Sequence, residues 1–213
     1  MVEKDKKINI AFNGFGRIGR NLIRKLINNT KYNIVAINAR TTASVRAHLF
    51  KYDSIHGHFD GTIETELDNL IINGKTIPNF DRSTPKKLPW EELEVDYVID
   101  STGKFTDYHS LHQHIEAGAK NVIVTSPAKD VDATLVYGVN ETDYKLKENN
   151  IISASSCTTT CLTPVLKVLQ KHYGIKQGYI TTTHSFTMGQ TLLDSSHPDL
   201  RRARAATLSM IPT

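Results

Sequence analysis

Cysteine is scarce in this chain, with only Cys157 and Cys161 among 213 residues. Two cysteines this close in sequence build no disulfide framework, so a reducing, cytoplasmic setting is expected. No apolar run approaches the length of a transmembrane helix, so no membrane partner is expected. The start, "MVEKDKKINIAFNG", is charged, and its short apolar run reads as a first strand rather than a signal peptide. Repeats and low-complexity tracts are missing too, which excludes solenoids and long flexible linkers. A large charge excess is also lacking, since 26 Lys and Arg face 22 Asp and Glu for a net +4. That balance permits phosphorylated metabolites as partners and does not call for nucleic acid. No stacking motif of the RNA-recognition type is present either. What remains, at 39% hydrophobic and 23% charged, is an ordinary globular composition.

Strand and helix signals alternate through the first half, the pattern of parallel βαβ units. "INIAFNG" ends a short apolar run at Gly14. Leu22, Ile23, Leu26 and Ile27 follow at helical spacing, and "YNIVAIN" is a second strand. "SVRAHLFKY" reads as a short helix, and "LIINGKTI" as a hairpin around Asn73-Gly74. "VDYVIDSTG" and "KNVIVTSP" are buried strands flanking the amphipathic "DYHSLHQHIEAGA", and "NIISASS" closes the series. The texture then changes to a helix, "TTCLTPVLKVLQKHYG", and a predicted strand, "GYITTTHSF". Pro164 fits that helix only if it falls in the first turns. The expected fold is α/β: a doubly wound, parallel-sheet dinucleotide-binding domain over 1–156, followed by an incomplete α+β catalytic domain over 157–213.

"GFGRIG" spaces Gly14, Gly16 and Gly19 as G-x-G-x-x-G between a predicted strand and a predicted helix. Gly14 allows the tight turn, Gly16 lets backbone approach a pyrophosphate, and Gly19 lets helix pack on sheet. The helix start adds N–H groups and partial positive charge for phosphates. An acidic residue is expected about 20 positions on, holding a ribose 2′-hydroxyl. Ala39 stands there, followed by Arg40. Loss of the carboxylate and gain of a guanidinium fork favour a 2′-phosphate, so the sequence leans to NADP over NAD.

Cys157 falls where a strand gives way to a helix, a place where the helix field favours thiolate over thiol. With the hydroxyls of Ser156 and Thr158 beside it, it is a candidate nucleophile. Cys161 lies one turn later and is expected to pack inward. His184 ends the predicted strand "GYITTTH", from which an imidazole could reach a thiol. His109, His112 and His114 are read as an exposed helix face, and no metal site is expected because no cysteine–histidine set completes one.

"INIAFNGFGRIGRNLIRKL", "HLFKYDSIHGHF", "LPWEELEVDYVIDSTGKF", "SASSCTTTCLTPVLKVL" and "HPDLRRARAA" together resemble phosphorylating glyceraldehyde-3-phosphate dehydrogenases. The resemblance covers essentially the whole chain. It implies reversible oxidative phosphorylation of glyceraldehyde 3-phosphate, with Cys157 as nucleophile and His184 as its base. It also implies cofactor contacts at Arg17, Ile18, Thr102, Gly103 and Thr125. Substrate or inorganic phosphate would meet Ser156, Thr158, Thr187 and Arg202, with Arg204 the alternative to Arg202. Family members are usually homotetramers, so a homo-oligomer is expected. The sister activity on erythrose 4-phosphate, in which water attacks the thioester, is the nearest rival. A non-catalytic dinucleotide- or RNA-binding fragment is a rival of another class.

The family's usual N-A-S-C-T-T-N-C appears here as Ala154-Ser155-Ser156-Cys157-Thr158-Thr159-Thr160-Cys161, without its asparagines. Ser195-Ser196 stand where NAD-specific members often carry Leu-Pro, so Ser196 joins Arg40 as an expected 2′-phosphate contact. The resemblance implies a C-terminally truncated enzyme. A Thr-Gly phosphate-binding pair, a further arginine and the nicotinamide-holding asparagine would all follow "SMIPT". Without them the 213 residues are expected not to turn over substrate.

Overall fold

The computed structural model describes residues 6–145 and 148–213; the charged start at Met1–Asp5 lies outside them. The chain divides into two compact units, 1–172 and 173–213.

The first unit is built on seven parallel strands. In chain order these are β1 (Ile8–Asn13), β2 (Tyr32–Asn38), β3 (Asn79–Phe80), β4 (Tyr97–Asp100), β5 (Asn121–Val124), β6 (Ala133–Thr134) and β7 (Ile151–Ser153). Their order across the sheet is β6-β7-β5-β4-β1-β2-β3, and every neighbouring pair is parallel. The doubly wound expectation is met. Successive strands step outward in opposite directions from the β1/β4 pair, so a crevice opens at the carboxyl ends of those two strands.

Side-chain alternation explains the layers. Ile10 and Phe12 point to one face of β1, where they join Ile23 of α1 (Arg17–Leu26) and Phe50 of α2 (Ala43–Lys51). Ala11, between them, points to the other face and packs with Ala36, Trp90 and Val98. A period of two with both faces apolar is what a strand covered on both sides requires. The predicted hairpin is present as an antiparallel pair, Asn69–Ile72 with Lys75–Ile77. Its turn residues have φ of +50° at Asn73 and +75° at Gly74, the left-handed pair that such a turn needs.

Three local expectations need correction. The helix α4 (Cys157–Tyr173) forms as read, but Pro164 lies beyond its first turn. There it lacks the N–H that would bond the Thr160 carbonyl. Cys161 does not pack inward: it is exposed, and α4 has no buried residue. The third correction concerns "GYITTTHSF", which is not a strand. Residues 178–186 carry no ladder, and among the described residues of 173–213 the only regular element is a short 3₁₀ turn, Leu200–Arg202. β-rich composition makes a strand only where a second strand supplies its hydrogen bonds. Tyr179 and Ile180 accordingly stand in solvent.

Candidate active site

The turn after β1 shows why its glycines are glycines. Gly14 has φ of +104°, and a Cβ on it would meet the carbonyl carbon of Ser101 at 2.8 Å. A Cβ on Gly19, buried on α1, would meet the Gly14 oxygen at 2.5 Å and Ser101 Oγ at 2.6 Å. Those two contacts are the close approach of helix to sheet. Gly16 differs. It is the N-cap of α1 with φ of −73°, and a Cβ there would find nothing nearer than Ser101 O at 4.0 Å. The fold leaves open space beside the backbone at 16. Arg17 and Ile18 open α1 and are exposed.

A cavity of about 330 Å³ opens above this turn. Gly14, Gly16, Ala39, Arg40 and Thr102 line it together, so the glycine loop, the end of β2 and the end of β4 meet as the sequence implied. Sequence reasoning missed Asn13, Asn38 and Arg82, which also line it. Asn13 and Asn38 end β1 and β2, so the rule that ligands sit at the carboxyl ends of parallel strands could have found them. Arg82 had no local signal. It arrives because its N–H donates to Asn38 Oδ1 at 2.9 Å and its carbonyl accepts from Asn38 Nδ2 at 2.9 Å.

The 39–41 loop is held from behind. Arg46, fully buried, donates to the Thr41 carbonyl and to Asp68 Oδ1, the latter at 2.6 Å. Asn79 donates to the Ala39 carbonyl at 3.2 Å and to Asp68 Oδ2 at 2.9 Å. The Arg46 hydrogen bond, chiefly, holds the Asp68 carboxyl below its ordinary range. Arg40 is exposed and faces Asp81 at 3.7 Å, an open surface pair of little strength. Thr102 turns its hydroxyl inward to Asp100 Oδ1 at 2.8 Å, while Gly103 follows with φ of +68°. Thr125 sits just past β5, its N–H bonded to the Asp100 carbonyl at 2.9 Å.

Cys157 is the first residue of α4, on the same carboxyl edge of the sheet as the glycine loop, because β7 runs parallel to β1 and β4. Ser156 caps the helix: its Oγ accepts the Thr159 N–H at 3.0 Å. Ser155 before it is buried with φ of +61°. That strained turn is pinned by a 3.1 Å contact between the hydroxyls of Ser155 and Thr160 and by the Ser155 N–H to Ser153 Oγ at 3.0 Å. Thr160 occupies one of the positions where the resemblance expects asparagine, so a hydroxyl pair supports the thiol's turn there.

His184, Thr187, Ser196 and Arg202 belong to the second unit. His184 Nδ1 lies 2.6 Å from the Ser185 carbonyl, to which it donates. Arg202 Nη2 donates to the Gly189 carbonyl at 3.3 Å, and Thr187 Oγ1 accepts the Gly189 N–H at 3.4 Å, so Thr187 and Arg202 flank one glycine. The neighbouring arginines are taken up. Arg201 forks onto Asp199 through Nε at 3.1 Å and Nη2 at 2.8 Å, which holds that carboxyl down at about 2, and Arg204 meets Asp194 at 2.8 Å. Ser196 is exposed.

The three histidines of α3 (Tyr108–Glu116) correct the sequence reading. His114 is 0% exposed and shares the inner face with Leu111, leaving only His109 and His112 toward solvent. An apolar residue three positions away on a helix was the available signal. Among the described residues no three His, Cys, Asp or Glu side chains cluster as metal ligands, and no helix is long and apolar enough to cross a membrane.

Residues 8–108 match a family model described as glyceraldehyde 3-phosphate dehydrogenase, NAD binding domain. Residues 156–213 match that family's C-terminal domain. Glyceraldehyde-3-phosphate dehydrogenase 2 of Bacillus subtilis is 48% identical over 207 residues, which are 97% of this chain and 61% of that protein. The Geobacillus stearothermophilus protein is 48% identical over 206 residues, 97% of this chain and 62% of its own length. Glyceraldehyde-3-phosphate dehydrogenase 2 of a Nostoc strain is 49% identical over 209 residues, with 97% and 62% covered. The chain thus spans about three-fifths of the length of the relatives it matches.

Proposed function

Because both matched segments fall in one family, the chain belongs to the glyceraldehyde-3-phosphate dehydrogenases, and on that premise we propose that it carries the cofactor- and thiol-bearing part of such an enzyme. The single observation that carries the reading is the capped thiol. Cys157 opens a helix on the sheet edge that also holds the glycine cradle.

A dinucleotide fits the cradle. Gly16 leaves room for a pyrophosphate beside the first N–H groups of α1, and the cavity is of ligand size. A bound nicotinamide would supply the hydride acceptor. The rest falls to side chains. The Cys157 sulfur adds to the aldehyde carbon, and the helix field lowers the cost of the thiolate that attacks. His184 takes the thiol proton, returns it to the oxygen of the adduct, and takes it again as the hydride leaves, so that a thioester remains on Cys157. Its Nδ1–H bond to the Ser185 carbonyl supports Nε2 as the working atom. Inorganic phosphate then attacks the thioester, and the acyl phosphate departs as the thiolate is restored. The Cys157 backbone N–H is the natural donor to the developing oxyanion. Thr187 and Arg202 are assigned to phosphate, and the occupation of Arg201 and Arg204 by carboxylates supports Arg202 over its neighbours. Ser156 and Thr158 are assigned to the same substrate anions. The fold boundary at 156, a cytoplasmic setting and a homotetrameric whole enzyme belong to this reading.

The test joins residues 1–213 to the C-terminal segment of the Bacillus subtilis relative and measures NAD(P)H formation. Glyceraldehyde 3-phosphate and erythrose 4-phosphate are compared, each with and without inorganic phosphate. Phosphate-dependent turnover of the triose supports the reading. Phosphate-independent turnover of the tetrose would replace it, and no turnover of either would end it.

NADP is the preferred cofactor in this reading. No carboxylate stands at position 39, and two guanidinium groups, Arg40 and Arg82, border the loop. The Arg40 pair with Asp81 is exposed enough to yield to a phosphate. Ser196 is the third assigned contact. Ala39→Asp should shift the NADP-to-NAD affinity ratio toward NAD by on the order of 100-fold, since like charges in contact cost several kcal/mol. Calorimetric titration with both dinucleotides measures it, and a parent that already prefers NAD would show the preference wrong.

A further inference from the structure

A chain of hydrogen bonds runs behind the cavity wall and takes no part in the chemistry above. The Trp90 indole N–H donates to His114 Nδ1 at 2.9 Å. His114 Nε2 lies 3.3 Å from Asp100 Oδ2 and 3.3 Å from Asn13 Nδ2, and that amide's shorter bond, at 2.6 Å, is to the same Asp100 oxygen. The other oxygen of Asp100 accepts from the Thr102 N–H at 3.1 Å and the Thr102 hydroxyl at 2.8 Å. Asn13 Oδ1 in turn accepts from Asn38 Nδ2 at 2.7 Å. Trp90, Asp100 and His114 are fully buried, and Asn13 and Asn38 nearly so. The three members that reach the cavity, Asn13, Asn38 and Thr102, sit at the ends of β1, β2 and β4, where the strand order reverses.

An indole nitrogen only donates, which decides the imidazole. Nδ1 must be the acceptor, so the ring hydrogen is on Nε2 and points at Asp100. The opposite tautomer would set N–H against N–H at Trp90 and a lone pair against the carboxylate. Four donors from three residues, His114, Asn13 and Thr102, then surround the Asp100 carboxylate. We propose that His114 is a positioning residue of the dinucleotide pocket: held by Trp90 as the Nε2–H tautomer, it orients Asp100 and thereby sets Asn13, Asn38 and the Thr102 turn. This rests on the dinucleotide reading of the cavity. A network needed only for the fold has no reason to end on three pocket-lining residues.

Binding of NADPH and NADH to the 213-residue chain tests it, with melting temperature recorded in parallel. His114→Leu removes the donor to Asp100, and Trp90→Phe releases the tautomer; each should weaken dinucleotide binding tenfold or more. His114→Gln can present an amide N–H to Asp100 and should stay within threefold of the parent, even where all three variants melt lower. Nitrogen-15 spectra of the parent should show His114 protonated at Nε2 alone. Equal affinity of the Gln and Leu variants, or affinity that follows melting temperature alone, would overturn the proposal. So would a hydrogen on Nδ1, whatever the ligand. A parent that binds neither dinucleotide would instead remove the reading on which the proposal rests, and the proposal with it.

Discussion

Cys157→Ser, placed in the chimera with the Bacillus subtilis segment, should lower phosphate-dependent NAD(P)H formation by about 10⁴-fold or more. Two bonds that hold the turn on either side of the sulfur are left in place by the substitution. Ser156 Oγ keeps the Thr159 N–H, and the hydroxyls of Ser155 and Thr160 keep their contact. Only the nucleophile differs. A serine hydroxyl keeps its proton far more strongly than a thiol, so the helix start that stabilises a thiolate does little for an alkoxide. Cys161→Ser is the matched control. It lies one turn along the same helix, exposed, and should cost less than about threefold, since it makes no claim on the chemistry. His184→Asn should fall between the two, in the range of about 10² to 10⁴ that general bases supply. Retention of a tenth of the parent rate by Cys157→Ser would sink the nucleophile assignment.

Gly19→Ala should damage fold and cradle together. Its Cβ would lie 2.5 Å from the Gly14 carbonyl oxygen and 2.6 Å from Ser101 Oγ. The Ser101 hydroxyl can rotate away, but it would give up its bond to that same carbonyl at 3.1 Å. Gly14 has nowhere to retreat, since it already sits against the Ser101–Thr102 backbone with φ of +104°. Overpacking of this kind destabilises by about 1–3 kcal/mol. In a unit of this size that corresponds to a melting temperature lower by roughly 3 to 10 °C. Because the displaced atoms form the cradle, dinucleotide affinity should fall together with stability. Gly16→Ala separates the two effects. Its Cβ meets open space in the protein, so the melt should stay within about 1 °C while affinity drops by roughly tenfold or more. Coincident loss of both properties in Gly16→Ala would mean that glycine at 16 serves the fold and not a ligand.

The alternation of strand and helix, the glycine turn and the Asn73-Gly74 hairpin were legible from local pattern. Each depends on backbone preferences or on a period of two or 3.6 within a dozen residues. So were the capped thiol and the lean away from a carboxylate at 39. His114 shows where pattern alone was misread. Its spacing from Leu111 marked an inner face, yet a histidine invited solvent until Trp90 and Asp100 arrived from elsewhere in the chain to satisfy it. Arg82 was invisible, because only the pairing of its backbone with the Asn38 side-chain amide brings it to the cavity.

By itself the sequence determined the longer elements of the first 172 residues (β1, β2, β4, β5, β7 and the four helices, but not the short β3 and β6), and which residue types would stand at the turn and the thiol. Those follow from steric limits on φ and ψ, side-chain periodicity and the chemistry of single groups. Tertiary structure alone decided which strands are neighbours, and therefore that Gly14, Asn38 and Thr102 share one cavity. It also decided that a buried carboxylate at Asp100 finds four donors, and that "GYITTTHSF" forms no strand. The physical reason is common to all of these. A sheet, a cavity and a satisfied buried charge exist only between groups distant in the chain, and no local preference specifies the partner.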